Sequence, residues 1–353
     1  MISSIEDKQP GHVTACTDER QMSALTLPWL AAALLLAVIL SLLLGRYPIS
    51  MADASRILGS MLGLPVRPVS RQVETVLLYV RLPRVTVAVL VGTALSVSGA
   101  AFQGIFRNAI VSPDLLGASS GAGFGAAVAI LLSFGPVSMQ IAAFACGTTA
   151  VLIAYGVSLL LGRSTVSLLL SGVAVAALFS AFTSMTKLVA DPMNKLPAIT
   201  FWLMGGLSNV TVRDVPILFV TTLLGATPLI LLRWRLNIVA LGEDHALALG
   251  MQLSRFQPLI VACATLLTAS TVAVCGLVGW VGLLVPNIAR LLVGPRFERL
   301  LPASIFLGAT FVLLVDDLSR TLFAAEIPLG VLLALLGAPF LLFMLARYKV
   351  GHP

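Results

Sequence analysis

The chain has 353 residues, of which 58% are hydrophobic and 10% charged, with a formal net charge of +7 and a mean hydropathy of +1.03. Soluble domains carry about 25% charged residues, so this chain cannot clothe itself in a water-facing surface and a bilayer must stand in for one. Its basic residues are scattered singly between apolar runs, which argues against nucleic acid as a partner.

Residues 1–26 are polar and mixed in charge, and read as a solvated, partly disordered cytoplasmic tail. The segment is too long and too acidic for the n-region of a cleaved signal peptide. Residues 27–353 then read as one transmembrane domain. A spanning helix needs about 20 mostly apolar residues, and about ten runs qualify. They are Leu27–Leu44, Arg84–Gln103, Leu115–Ser133, Val137–Leu160, Leu168–Val189, Val215–Leu232, Pro258–Cys275, Gly276–Leu292, Pro302–Leu322 and Pro328–Ala346. The seventh and eighth abut at Gly276, and Pro286 interrupts the eighth. Between the fifth and sixth, Pro197–Leu207 is apolar but too short to cross, and reads either as a re-entrant or interfacial helix or as a buried loop helix. The predicted fold is all-α: a polytopic membrane protein lying in lipid.

An even number of spans puts both termini on one side. Basic residues divide nearly evenly between the two sides, so the positive-inside rule leans only on Arg347 and Lys349 after the last run and on Arg290, Arg296 and Arg299 in a short loop. These favour cytoplasmic termini in a multi-pass cytoplasmic (inner) membrane protein. Gly117, Gly121 and Gly125 form two GxxxG steps, and Gly276, Gly279 and Gly282 recur every three residues. Such spacings suit close helix packing.

Several chemistries are missing from the sequence. It holds no GxxxxGK[ST] phosphate loop, HExxH, GxSxG or paired CxxC. Cys16, Cys146, Cys263 and Cys275 lack metal-ligand spacing, and His12, His245 and His352 fall outside the apolar runs. No enzyme, cofactor or metal site is expected. No charged residue falls near the middle of a run, where charges survive mostly for function. That absence weighs against a proton- or sodium-coupled secondary transporter or exporter of a small amphipathic solute, the alternative reading.

Four stretches together resemble the FecCD family of importer permeases. They are Arg81–Asn108 (RLPRVTVAVLVGTALSVSGAAFQGIFRN) continuing through Ser112–Ala126; Leu168–Ala174 with Phe201–Leu207; Leu236–Met251 (LNIVALGEDHALALGM); and Gly276–Pro295 with Ile327–Leu345. They follow in order from about Arg81 to the C-terminus. Two positions depart from the family pattern. Asn287 follows the VP pair where many members carry His, and Asp317 stands beside the expected acid Asp316 where an apolar residue is usual.

The resemblance implies a ten-helix cobalamin-importer-like permease that pairs with a second copy or a sister permease. It implies two cytoplasmic ATPase subunits and an external, periplasmic substrate-binding protein as further partners. The cargo would be a metal chelate, iron–siderophore first, with haem and cobalamin open. It places ATPase coupling on a loop over about 240–253, at Leu241, Gly242, Glu243, Asp244, Leu249 and Gly250. Two short helices there would be joined through Gly250. It maps a cytoplasmic gate onto Thr165 and Val166, where Ser164 or Thr165 could equally be a plain helix cap; the neighbouring Arg163 is expected at the headgroups or in the cytosol. It assigns binding-protein docking to Arg81, Arg84 and Arg320. For these arginines snorkelling to lipid, or an Asp316–Arg320 pair four residues apart, are the plainer readings.

Overall fold

The computed structural model describes residues 11–45, 47–61, 63, 69–162, 164–323 and 325–350, and no strand occurs among them. α1 (Gly11–Leu43) carries the first apolar run. It begins inside the segment read as a tail, whose residues 1–10 lie outside the described residues. A short α2 (Met51–Met61) follows, then α3 (Arg71–Thr75), one π-helical stretch (Val76–Arg81) and α4 (Leu82–Ile105), which make a continuous helix of 35 residues. A 3-10 turn (Pro113–Leu116) leads into α5 (Ala118–Leu131). After it come α6 (Pro136–Leu160), α7 (Thr165–Leu188), the short α8 (Lys195–Leu203), α9 (Asp214–Leu231), α10 (Arg233–Leu241), α11 (Glu243–Ala248), α12 (Leu253–Cys275), α13 (Val281–Val293), α14 (Phe297–Thr321) and α15 (Leu329–Val350).

Among the described residues seven helices are long and apolar enough to cross a membrane, and three shorter ones, within α5, α13 and α15, are apolar too. Together they match the ten expected runs. The principal boundary correction is at α13. Expected from Gly276, it begins at Val281 and has 13 residues, about 20 Å of helix against a hydrocarbon core of about 30 Å. Residues 276–280 make up the difference as a non-helical strap. Gly276 has φ +70°, and a Cβ there would stand 2.3 Å from the Trp202 carbonyl oxygen. Irregular backbone at this depth is tolerated because protein rather than lipid surrounds it.

α4 is the central helix. Val87, Ala88, Val91, Ala94, Val97, Ala100 and Ala101 have no exposure, and α9, α12, α13 and α14 pack around it. Small residues set the spacing. A Cβ on Gly92 would lie 2.1 Å from Gly308 O on α14, and one on Gly99 would lie 1.9 Å from Gly282 O on α13. These helices touch backbone to backbone, as small residues permit in lipid. The first glycine series divides. Gly121 and Gly125 abut the Cys146 and Ala142 carbonyls of α6, whereas Gly117, at φ +84°, starts α5 beside Ala176 of α7. In the second series Gly282 packs on α4, and Gly279 has nothing within 4 Å.

Alternation of direction gives the molecule two ends. α4, α6, α9 and α15 start at the end holding Arg84, whereas α13 starts deeper, with Gly282 against Gly99 of α4. They finish at the end holding Gly242, where α1 starts.

Candidate functional site

At the Arg84 end the three singled-out arginines are turned inwards. Arg81 is 4% exposed, Arg84 8% and Arg320 7%. Arg84 lies in the first turn of α4, beside a proline well suited to that position. Its Nε donates to Asp316 Oδ2 at 2.9 Å and its Nη2 to Asp316 Oδ1 at 2.9 Å, a bidentate pair. Its Nη1 and Nη2 also reach Glu326 at 3.1 and 3.0 Å. Arg320 pairs with Asp317, three residues earlier on α14, and donates to Ser41 O at 2.6 Å. Ser41 Oγ in turn donates to Asp317 Oδ1 at 2.7 Å. Arg81 donates to Leu42 O at 2.7 Å and Leu43 O at 2.8 Å, and also to Tyr47 O. It thereby closes the carbonyls that a helix end leaves open.

The expected Asp316–Arg320 pair is therefore replaced by a crossed arrangement: Asp316 with Arg84, Asp317 with Arg320. The unusual acid at 317 explains this, because it gives Arg320 a carboxylate of its own and leaves Asp316 to Arg84. The free outward charge that docking would draw on is not found at these side chains. Sequence reasoning missed Ser41 and Glu326. Nothing in the sequence marks Ser41, whereas Glu326 is an isolated acid beside Pro328 between two apolar runs.

Beside this cluster lies a cavity of about 1000 Å³, whose walls include Tyr79, Gln140, Phe201, Trp202, Arg213 and Glu326. Its rim is braced by Asp214 at the start of α9. That carboxylate accepts from Thr211 N at 2.7 Å, Thr211 Oγ1 at 2.8 Å and Gln140 Nε2 of α6 at 2.7 Å. The floor is a backbone weld. Leu329 N donates to Gly205 O at 2.9 Å, Gly330 N to Met204 O at 3.1 Å and Gly206 N to Cys275 O at 2.8 Å. The segment after α8, the strap and the start of α15 are thus held as one unit. The apolar segment after the fifth span forms α8, which ends where Gly205 turns at φ +69°.

At the Gly242 end, Ser164 caps α7 by accepting from Ser167 N at 3.0 Å. Thr165 is half-buried, while Val166 is 63% exposed. Arg163 lies outside the described residues. Of the two short helices expected within 240–253, the structure has one, α11; no short helix follows Gly250, and the joint is instead at Gly242, where α10, ending at Leu241, meets α11. Gly242 has φ +127°, backbone that suits glycine. Gly250, at φ +75°, follows α11. Leu241, Leu247 and Leu249 are exposed, and the side chains of Glu243 and Asp244 lie outside the described residues. α10 is fixed to α14 by Asn237, which accepts from Phe297 N at 2.8 Å and donates to Glu298 at 2.7 Å.

Asn287, the other departure, joins a polar knot. Its Nδ2 donates to Ala109 O at 2.9 Å and Leu283 O at 2.8 Å, and its Oδ1 accepts from Arg290 at 2.9 Å. Arg290 also reaches Gln103 of α4. The amide thus donates and accepts at once, tying α13 to the loop after α4. Among the described residues no group of three His, Cys, Asp or Glu side chains could hold a metal ion.

The chain is 38% identical over 325 residues to the molybdate import system permease protein MolB of Haemophilus influenzae, covering 91% of this chain and 95% of that one. It is 35% identical over 332 residues to the Fe(3+) dicitrate transport system permease protein FecC of Escherichia coli, covering 90% and 95% respectively. A solved structure described as an inward-facing conformation of a metal-chelate type ABC transporter superposes with a TM-score of 0.81 at 36% identity, covering 92% of this chain and 99% of that one. The model of the FecCD transport family matches residues 33–347. With ten apolar helices among its described residues and without an ATPase motif of its own, the chain belongs to the FecCD transport family and is a membrane-embedded ABC importer permease whose ATP hydrolysis is performed by separate subunits.

Proposed function

We propose that the chain carries a bulky metal chelate inward, with an iron–siderophore complex as first candidate. It would work as one of two paired permeases between an external binding protein and two cytoplasmic ATPase subunits. The observation that carries this reading is the cavity of about 1000 Å³ beside Arg84. A tetrahedral oxyanion fills little of such a space and is held by converging charged donors at about 2.7–2.9 Å. Here the nearest buried guanidinium, Arg84, is already engaged by two carboxylates, and the aromatic rings of Tyr79, Phe201 and Trp202 are part of the wall. Those walls suit the organic surface of a chelate, and the metal travels inside its chelator.

Proteoliposomes holding the permease with its ATPase and binding protein test this. ATP-dependent accumulation of a ferric siderophore, without accumulation of molybdate, is the expected result. Molybdate uptake with no chelate uptake would overturn it.

In this arrangement the Arg84 end faces outward, and the Gly242 end with both termini faces the cytoplasm. Leu241, Gly242, Glu243, Asp244, Leu249 and Gly250 form the ATPase-coupling surface. Arg81, Arg84 and Arg320 serve docking indirectly, by holding the outer ends of α1, α4 and α14 in register beneath the binding protein. Thr165 and Val166 gate the inner mouth, with Val166 the more exposed. A Val166→Cys variant without other cysteines is therefore expected to form a disulfide with its counterpart in a paired permease when the inner mouth is shut, and to lose it when the mouth opens. Equal cross-linking in every nucleotide state, or none in any, would count against the gate.

A further inference from the structure

We propose that Arg107, on the loop after α4, is a second ATPase-contacting element that acts together with the coupling helices. The inference rests on the coupling reading above and extends it to a part of the chain distant in sequence.

The starting observation is backbone conformation. α4 ends with Arg107 N donating to Gly104 O at 3.3 Å and Asn108 N to Gln103 O at 3.2 Å. Arg107 itself has φ +49°. This is the position, just past a helix end, that glycine fills by preference because a Cβ is unfavourable in left-handed backbone. An arginine there opposes the local preference, and residues held in sparsely populated backbone regions gather where function requires them.

The side chain's place supplies the second observation. Arg107 Nη1 lies 3.3 Å from where a Cβ on Gly242 would be. The guanidinium therefore rests on the bare backbone of the joint between α10 and α11. Gly242 is itself at φ +127°, so two unusual backbone positions, far apart in sequence, meet at the coupling loop. Arg107 is exposed, and no hydrogen bond joins its guanidinium to a described residue. Ile110, three residues on, is exposed as well, as are Leu241, Leu247 and Leu249 of the coupling loop.

Together these residues make a surface, continuous with the coupling loop, in which Arg107 is set among exposed aliphatic side chains. Its occupant is the ATPase subunit, through an apolar groove with a carboxylate on its rim facing Arg107. Arginine suits that role, since its planar fork binds a carboxylate bidentately and stays charged.

Arg107→Gly separates this role from a structural one. Glycine relieves the left-handed strain, so the variant is expected to fold as well as the parent, or better, by thermal unfolding in detergent. Its affinity for the co-expressed ATPase subunit is expected to fall about tenfold, the scale of one close charge pair across an interface, and the loss should shrink at high salt. Arg107→Lys, which keeps the charge, should recover part of it. Leu247→Asp, on α11, probes the underlying coupling reading independently. If Leu247→Asp abolishes ATPase binding while Arg107→Gly leaves it unchanged, the inference fails and the coupling reading stands. If both variants bind the ATPase normally, the coupling reading fails and takes the inference with it. A loss of thermal stability in Arg107→Gly would assign the arginine to the fold and overturn the proposal.

Discussion

Replacing Arg84 with methionine is expected to lower folded stability by about 3–5 kcal/mol, because it strands the buried carboxylate of Asp316 without a partner. Asp316 is 1% exposed and bonded bidentately to Arg84, so its charge has no route to water. The double variant Arg84→Met/Asp316→Leu should recover most of that loss, since well-packed apolar residues commonly match or exceed a buried ion pair. Glu326→Gln alone should cost less than about 1 kcal/mol, as the Glu326 side chain is 35% exposed and water can take over its solvation. Thermal unfolding of the purified permease in detergent, with the yield of folded protein, checks the series. Parental stability in Arg84→Met would mean the pair contributes nothing, and a double variant no better than the single would show that Asp316 is not the group left stranded.

The second large effect is steric. Gly92→Val should cost at least the 1–3 kcal/mol typical of overpacking. An added Cβ alone would sit 2.1 Å from Gly308 O and 2.8 Å from Ala309 Cα, and both are backbone atoms that cannot step aside by changing rotamer. α4 and α14 would have to part along the centre of the molecule. Gly156→Ala is the matched control. It is near the C-terminal end of α6 with nothing within 4 Å, and exchanging glycine for alanine there should be neutral or stabilising by up to about 1 kcal/mol. Gly92→Val and Gly156→Ala unfolding at the same temperature would show that α4 and α14 are not in backbone contact.

Much of this was legible from hydrophobic runs. Apolar length alone located the ten spans, because lipid leaves the backbone few other choices. Polar punctuation marked the cap at Ser164, whereas the joint of the coupling loop was expected at Gly250 and is found at Gly242. The strap at 276–280 was not legible, since an apolar, glycine-rich stretch reads the same whether it is helical or extended and only its neighbours decide. The crossed ion pairs were hidden for a similar reason. Sequence spacing proposed the local partner for Arg320, four residues away, whereas Arg84 reaches Asp316 across 232 positions in the chain. The cavity brings together residues from Tyr79 to Glu326, and no periodicity links them.

The weld between the segment after α8 and the start of α15 has a consequence for how such proteins diversify. It is made by main-chain atoms, Leu329 N to Gly205 O and Gly330 N to Met204 O. Its spatial demands fall on two glycines, where an added Cβ would lie 2.4 Å from a carbonyl oxygen in each case. Main-chain bonds are indifferent to side-chain identity. Residues elsewhere on α8 and α15 can therefore be exchanged for larger, smaller or more polar ones while the frame that positions them stays fixed. A mutational tolerance map should accordingly show two intolerant glycines flanked by permissive positions. Such a scaffold can acquire a new cargo by changing its lining alone, without a new fold having to be found.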